Sequence, residues 1–241
     1  MFNFKVEFAK LNIDVNTNYE YTMRFCKRYL TEGESDFSVS VREEEIDEEI
    51  AVSPYNPKRG YAESICVYRE IAKQLPLFNR MVSHGAVISY NDKGYLFTAP
   101  SGTGKTTHIM LWKKFIENVE IVNGDKPILH IENNTVEAYA TPYCGKEGYQ
   151  NGSSVKLSAL CLIRRGEVNR IKKVKPSEIL SEIMNQLFMP YEAEAVVKTL
   201  DLLDSLFKNV PAYVLECDMS EEAVKTSFEA LTGEKYKAHS S

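Results

Sequence analysis

The residues of this chain with the clearest potential for chemistry form one short run, Ala-Pro-Ser-Gly-Thr-Gly-Lys-Thr at positions 99–106. The run fits the phosphate-binding pattern G-x-x-x-x-G-K-[ST], with alanine at the first glycine position. Gly102 and Gly104 let the backbone curl so that successive N–H groups point toward phosphate oxygens. The pattern therefore predicts a site for the phosphates of a nucleotide.

The side chains that end this run have separate predicted roles. The ammonium of Lys105 can reach the β- and γ-phosphates, and the hydroxyl of Thr106 can ligate Mg²⁺. The N-terminus of the helix that follows adds partial positive charge. We therefore predict ATP and Mg²⁺ as cofactors. The predicted nucleotide-binding residues are Ser101, Gly102, Thr103, Gly104, Lys105, Thr106 and Thr107.

Two residues outside the run are predicted to act on the metal and on a proton. Asp125 follows a short apolar strand at 119–122, where a carboxylate ligand for Mg²⁺ is expected beside Thr106. The alternative is that Asp125 only shapes the Asn-Gly-Asp turn. His84 can hydrogen-bond a phosphate or move a proton, and its alternative is a capping or core histidine. We predict both as catalytic residues.

Cationic side chains at two further places suit a phosphoryl-transfer site. Residues 141–152 form a long polar loop with glycines, and its Lys146 is the third predicted catalytic residue, as a cation that faces the phosphate. The alternative is a plain linker. Arg164 and Arg165 end an apolar run and could stabilise charge on a transferring phosphoryl group, or lie at a solvated hairpin tip.

The phosphate-binding run needs a strand before it and a helix after it. Residues 94–98 have the pattern of a strand, and apolar residues recur at helical spacing over 109–116. The apolar runs 85–90 and 95–98 flank the turn signal Asn-Asp-Lys-Gly. A β-hairpin is therefore predicted to lead into the phosphate-binding run.

The remaining pattern alternates strands with helices, as is typical of an α/β chain. Strands are predicted at 2–8, 37–41 and 212–217, and hairpins at 127–132 with 136–141 and at 155–164 with 168–174. Helices are predicted at 19–30, 43–49, 61–75 and 192–209. Ser177 is predicted to cap a further helix, and the capping-box pair Asp218 and Glu221 to start a last one that ends at Gly233. The tail at 235–241 is predicted to be loose.

The composition excludes several classes of protein. The chain has 241 residues, of which 44% are hydrophobic and 26% charged, and its net charge of -5 argues against general nucleic-acid binding. We find no signal peptide and no apolar run that could span a bilayer, so no membrane association is expected. The five cysteines contain no CxxC pair, which disfavours a zinc site or disulfide framework and favours a reducing cytoplasm.

Five motifs follow one another in a defined order. They are His84-Gly85, the hairpin, the run at 99–107, Asn123-Gly124-Asp125-Lys126-Pro127 and Thr141-Pro142-Tyr143-Cys144-Gly145-Lys146. This order resembles the HPr kinase/phosphorylase family and its shorter relatives, which share a nucleotide-binding core with phosphoenolpyruvate carboxykinase. The resemblance implies an α/β fold with a P-loop core of that type, in which helices flank a mixed β-sheet. It also implies phosphoryl transfer from ATP to a serine hydroxyl, with Lys105, Thr106 and Asp125 on phosphate and metal and His84 near the transferred group.

The sequence departs from that family at one position of the site. HPr kinases have two adjacent acidic residues where this chain has Gly124-Asp125, and one of those residues is the catalytic base. Either Asp125 takes both roles or the base comes from elsewhere. Residues 1–58 are expected to form a small N-terminal α+β subregion packed on a kinase-like domain at 59–241, unless 1–241 is one continuous domain.

The leading hypothesis is an ATP- and Mg²⁺-dependent kinase that phosphorylates a hydroxyl group. The alternative is a non-catalytic ATP-binding accessory or regulatory module, which Gly124 favours. A transporter-type ATPase is disfavoured because no Leu-Ser-Gly-Gly-Gln-like signature occurs and Lys126 follows Asp125, where a water-activating Glu is expected. The expected partners are the nucleotide and a serine-containing protein, peptide or small molecule, and a homo-oligomer is left open.

Overall fold

The computed structural model describes residues 1–237, which fold into two β-sheets with helices between and around them. The strands are β1 (Phe2–Phe8), β2 (Leu11–Thr17), β3 (Phe37–Ser40), β4 (Arg80–Val82), β5 (Gly85–Tyr90), β6 (Lys93–Thr98), β7 (Glu120–Asn123), β8 (Ile128–Glu132), β9 (Thr135–Tyr139), β10 (Ser154–Arg165), β11 (Arg170–Val174) and β12 (Ala212–Cys217). The helices are α1 (Tyr21–Phe25), α2 (Glu43–Val52), α3 (Arg59–Gln74), α4 (Lys105–Phe115), α5 (Leu180–Met184), α6 (Ala193–Asn209) and α7 (Glu221–Thr232). The mixed α/β class expected from the sequence is confirmed.

The N-terminal strands form a small sheet in the order β1-β2-β3. Side chains alternate between buried and more exposed along β1 and β2, because one face of the sheet packs on the protein and the other meets solvent. The buried face shares one apolar core with α3 and with Val82, Ile128 and Tyr139 of the larger sheet. The two sheets are therefore packed through a common core, and the domain boundary at residue 58 stays a prediction.

The hairpin of β5 and β6 is formed as predicted. Asn91 and Asp92 both have positive φ angles, 47° and 60°, which suits the tight turn that matches the twist of paired strands. Gly85 pairs with Thr98, so the residue that enters β5 and the residue that leaves β6 lie at the same end of the hairpin.

The larger sheet is built around the long strand β10. Its first part pairs with β9, its middle pairs in parallel with β6, and its last part pairs in parallel with β12. Alternate residues of the central strands pack on opposite faces: Tyr95 and Phe97 share a core with α4 and α7, whereas Leu96 shares one with α6. The sheet is therefore covered on both sides, which explains its nearly continuous apolar strands.

Three sequence predictions about local structure are wrong. Strands β10 and β11 do not form a hairpin, because β12 lies between them and pairs with both. Ser177 does not cap a helix but lies in the 3₁₀ turn Pro176–Glu178, and α5 begins only at Leu180. The last helix is capped by Ser220, whose Oγ accepts a hydrogen bond from the N–H of Ala223, rather than by Asp218.

Two further predictions concern the end of the chain and the membrane. The last helix ends at Gly233 with φ of 76°, as predicted. Only residues 235–237 of the predicted loose tail belong to the described part, and there Tyr236 donates a hydrogen bond to Glu221. Among the helices of residues 1–237, none has the length and apolar character needed to cross a bilayer.

Candidate functional site

The site begins with the segment at 99–104, here called the glycine loop, which connects β6 to α4. Gly102 and Gly104 have φ angles of 76° and 120°, which residues with a Cβ rarely adopt. A Cβ at either position would meet nothing within 4 Å, so the backbone conformation and not crowding requires glycine. The strand–loop–helix order predicted for phosphate binding is therefore present. Ser101 and Thr103 lie in the loop itself, and Thr106 and Thr107 lie in the first turn of α4.

Lys105 is buried at the start of α4, with its ammonium turned back into the glycine loop. Its Nζ donates a hydrogen bond of 2.7 Å to the carbonyl oxygen of Ala99. Burial lowers the pKa of Lys105, and the carboxylate of Asp125 acts in the opposite direction. The ammonium is thus held inside the loop with one backbone partner, where phosphate oxygens would compete for it.

Arg165 ties the glycine loop to the end of β10. Its Nε donates to the carbonyl oxygen of Thr103 at 3.2 Å, and its Nη2 donates to the carbonyl oxygen of Gly102. The sequence indicated a cation at a strand end, and the structure brings that cation onto the loop. The neighbouring Arg164 points elsewhere and pairs with Glu182.

Asp125 and His84 lie together at the end of the hairpin that leads into the loop. Nε2 of His84 is 3.4 Å from Oδ1 of Asp125, and Nζ of Lys126 is 3.2 Å from Oδ2. The backbone fixes this arrangement, because the N–H of Gly85 donates to the carbonyl oxygen of Asp125 at 2.8 Å. Two of the three predicted catalytic residues are therefore in contact.

The turn that carries Asp125 is shaped by Asn123. Oδ1 of this buried asparagine accepts hydrogen bonds of 2.9 Å from the N–H groups of Asp125 and Lys126, and its Nδ2 donates to Thr141. This is the Asx-type turn that asparagine favours. Because Asn123 satisfies the turn, the carboxylate of Asp125 is left to face His84 and Lys126.

The environment of Asp125 keeps its carboxyl group ionised. Burial alone would raise the pKa of Asp125, but the hydrogen bond with His84 and the positive charge of Lys126 outweigh it. The pKa therefore lies below its ordinary value. An ionised oxygen donor at this position suits a hard cation such as Mg²⁺.

Gln186 is a residue of the site that the sequence analysis missed. Oε1 of its buried side chain lies 2.8 Å from Nδ1 of His84, and its carbonyl oxygen accepts a 2.7 Å hydrogen bond from the N–H of His84. With Nδ1–H donating to Gln186, the ring can also donate to Asp125 from Nε2 only when it is protonated. No local signal marks Gln186, because it is 102 positions from His84 in the chain.

The loop at 143–149 packs against the Asp125 turn. The N–H of Gly124 donates to the carbonyl oxygen of Tyr149 at 2.9 Å, and the N–H of Lys126 donates to that of Tyr143 at 3.1 Å. A Cβ on Gly124 would lie 3.0 Å from the carbonyl oxygen of Cys144, which is tighter than most Cβ contacts, so the loop would have to shift by a few tenths of an ångström. A side chain at position 124 would therefore press on this loop.

Lys146, the third predicted catalytic residue, is not brought to the other two. Its side chain is 91% exposed, and its Nζ lies 3.9 Å from Glu147. The preceding Gly145 does abut the site, since a Cβ there would lie 3.4 Å from Cβ of Asp125. A catalytic role for Lys146 stays a prediction. Cys144 is buried, and burial raises the pKa of its thiol.

The candidate ligand atoms for Mg²⁺ in this site are few, and all of them are oxygens. Within residues 1–237, no group of three or more His, Cys, Asp or Glu side chains could hold a metal ion. The half-buried hydroxyl of Thr106 has no hydrogen-bond partner in that part of the chain, and Asp125 supplies a carboxylate. Mg²⁺ commonly takes one or two protein oxygens and completes its shell with phosphates and water. The residues therefore fit a cation that arrives with a nucleotide.

Comparisons with known proteins give a likeness among solved structures. No protein-family model matches this chain, and no curated protein matches it. Among solved structures, the HPr(Ser) kinase/phosphatase from Coxiella burnetii is similar, with 12% sequence identity and a TM-score of 0.36. The similar region covers 63% of this chain and 93% of that one. The similarity is one of fold alone.

Proposed function

We propose that this protein binds ATP with Mg²⁺ and transfers the γ-phosphoryl group to a hydroxyl acceptor. The observation that carries this proposal is the pairing of Gly85 with Thr98. This register brings the His84–Asp125 pair and the glycine loop to the same end of one hairpin. A phosphate-binding loop next to a carboxylate–imidazole pair can support phosphoryl transfer to a hydroxyl, because the loop holds the phosphates and the pair can accept the proton.

Each part of the site has a defined role in the proposed reaction. The N–H groups of the glycine loop and the ammonium of Lys105 bind phosphate oxygens, and Thr106 and Asp125 hold the cation. When bound, Mg²⁺ neutralises charge on the phosphates. The small cavity of about 250 Å³ beside Thr103 and Gly104, lined in part by Leu111 and Met219, suits another part of the nucleotide.

The proposed reaction transfers the phosphoryl group to the acceptor and the acceptor's proton to the His84–Asp125 pair. The acceptor oxygen bonds to the γ-phosphorus while the bond from that phosphorus to the bridging oxygen of ADP breaks. The hydroxyl proton passes to Asp125 and is shared with Nε2 of His84. A carboxylate with a lowered pKa is a weak base by itself, so we assign His84 the task of taking the proton away.

One observation favours a second candidate, a non-catalytic ATP-binding module. The loop at 143–149 crowds Gly124, and a second carboxylate at this position would have to push the loop aside. If Asp125 serves only the cation, the site would bind ATP and order the neighbouring loop without transfer.

The two candidates differ in transfer and agree on binding. We expect calorimetry to detect Mg²⁺-dependent ATP binding that is lost in Lys105→Ala and kept in Lys113→Ala, an exposed lysine of the same helix. Label from γ-phosphate-labelled ATP should then appear on an acceptor with the wild type and not with Asp125→Ala. Binding without any labelled acceptor would favour the non-catalytic module, and no binding would overturn both.

A further inference from the structure

A cavity of about 370 Å³ lies between α3 and the segment at 185–188. Two of its lining residues, His84 and Lys126, are the two side chains that contact the carboxylate of Asp125. None of the residues that line it belongs to the glycine loop. The cavity therefore reaches the His84–Asp125 pair from a side that the glycine loop does not line.

We propose that this cavity binds the acceptor, and that the acceptor is a hydroxyl group carried on a neutral, apolar body about as large as one large side chain. The proposal rests on the proposed function. A phosphoryl acceptor must approach roughly in line with the leaving oxygen. A nucleotide in the glycine loop and an acceptor in this cavity would meet the pair from separate directions.

The walls of the cavity are mainly apolar, and the side-chain amides of Asn185 and Gln186 add hydrogen-bonding groups at the segment 185–188. The rings of Tyr68 and Tyr143 are stacked with centroids 3.9 Å apart. Their hydroxyls are already engaged, since Tyr68 donates to the carbonyl oxygen of Lys126 and Tyr143 to that of Ser64, both at 2.9 Å. These side chains therefore present carbon surface to an occupant, and Val82 and Phe188 add to it.

The charged groups of the cavity are already compensated. The guanidinium of Arg69 pairs with Glu49 at 2.6 Å, and the ammonium of Lys126 pairs with Asp125. A zwitterion such as free serine would lose its hydration here without finding a free counter-charge, which is costly. A neutral ligand with an apolar body avoids this cost and gains from the buried carbon surface.

The volume limits the size of the occupant. Ligand pockets commonly measure about 300–1,000 Å³, so this cavity is at the small end of that range. It suits one aromatic or branched aliphatic group together with the hydroxyl-bearing atoms. That chemistry is found in a serine next to an apolar residue of a peptide and in a free apolar alcohol.

The test measures binding to the cavity separately from phosphoryl transfer. N-acetyl-Ser-Phe-amide, N-acetyl-Ser-Gly-amide, 3-phenylpropan-1-ol and free serine are titrated into the protein without nucleotide. We expect the Phe peptide or the phenyl alcohol to bind at least about tenfold more tightly than the Gly peptide, because a ring buries much apolar area. Preference for the peptide or for the alcohol identifies the source of the acceptor.

A variant that fills the cavity supplies the second part of the test. Ala72 is a buried residue of α3 that lines the cavity, and Ala72→Phe should abolish binding of the phenyl compounds. Val52→Phe adds the same ring at a position that is 78% exposed, and should leave binding unchanged. If Ala72→Phe does not fold, Phe188→Ala enlarges the cavity instead and should shift the preference toward larger alcohols.

Each outcome decides the proposal independently of ATP. If neither the Phe peptide nor the phenyl alcohol binds more tightly than the Gly peptide, or if phenyl binding survives Ala72→Phe, the apolar acceptor site is overturned and the kinase proposal is left intact. Absence of ATP binding would overturn the kinase proposal, and the phenyl titrations would still decide whether the cavity takes apolar alcohols.

Discussion

The guanidinium of Arg165 donates a hydrogen bond to the carbonyl oxygen of Gly102, although the two residues are 63 positions apart in the chain. The glycine loop therefore does not hold its conformation alone. Its shape depends on the last residue of β10, which lies next to β6 in the sheet. An arginine suits this task because its planar group donates to two carbonyl oxygens at once.

Replacing Arg165 with alanine is expected to weaken Mg²⁺-dependent ATP binding about tenfold, or by about 1.4 kcal/mol. The loop would lose two charge-assisted hydrogen bonds and would have to be ordered by the nucleotide. Arg165→Lys should restore little of the lost ATP affinity, since an ammonium cannot reproduce the planar pair of donors of a guanidinium. Calorimetry measures the effect, and Arg170→Ala is the control because its ion pair with Glu216 does not involve the loop. Equal affinities of Arg165→Ala and the wild type would contradict the expectation.

Asp125 should contribute stability that disappears in acid. Its pKa in the folded protein is lowered, so the ionised form stabilises the fold above the ordinary carboxyl pKa of 3.8 and this contribution is lost as pH falls through the folded value. In urea unfolding, the free energy of unfolding of the wild type should exceed that of Asp125→Asn at neutral pH. The difference should shrink below about pH 4. Asp201→Asn, an exposed site on α6, controls for general charge. A difference that does not change with pH would refute this role.

Gln186 is expected to act as a positioning residue for His84. Gln186→Leu removes the acceptor at Nδ1 and should lower kcat for transfer about tenfold or more, with ATP affinity unchanged. Gln186→Glu puts a carboxylate beside Nδ1, which favours the protonated ring, and should move the pH dependence of transfer upward. Steady-state kinetics over a pH series measures both effects. If Gln186→Leu and Gln186→Glu gave the same pH profile, the contact would be merely structural.

Introducing an acidic residue at position 124 should impair the protein. Because a Cβ there would lie 3.0 Å from the carbonyl oxygen of Cys144, both Gly124→Asp and Gly124→Ala should lower stability by about 1–3 kcal/mol. Thermal unfolding measures this cost, and the alanine variant separates bulk from charge. A rise in transfer activity in Gly124→Asp would show instead that the site lacks only its second carboxylate.

His108 should make the fold sensitive to mild acid. It is buried, its Nε2 accepts a 3.2 Å hydrogen bond from Nε1 of Trp112, and burial lowers its pKa to about 4. The unfolded chain takes up this proton near pH 6.5, so the folded state should lose about 2 kcal/mol between about pH 7 and pH 5. In urea unfolding, the free energy of unfolding of His108→Gln should therefore fall less between these two pH values than that of the wild type. His130, whose pKa is also lowered by burial, contributes with the same sign in both proteins.

Local chemistry explains what the sequence predicted well. The glycine loop, the turn at Asn91 and Asp92 and the final Gly233 each depend on a few neighbouring residues with special backbone preferences. The sequence named His84 and Asp125 separately and did not predict their contact, which arises because β7 pairs with β5.

What the sequence missed depends on contacts between distant segments. The insertion of β12 between β10 and β11 is decided by packing of the whole sheet, and no turn signal records it. Gln186 reaches the site from another element, so its side chain looks like an ordinary polar residue in the chain. Arg165 was a candidate, but its contact with the glycine loop joins residues 63 positions apart and has no local signal. The role of Asn123 was also missed. Both Asn123 and Asp125 have side chains that can shape this turn, and the sequence does not show that Asn123 accepts the hydrogen bond.

The turn of the β5–β6 hairpin is a suitable place to open or extend the chain. Its turn at Asn91 and Asp92 lies at the opposite end of the paired strands from Gly85 and Thr98, and both turn residues are exposed. New chain termini or an inserted fluorescent reporter at this turn would leave the backbone next to His84 and the glycine loop uncut.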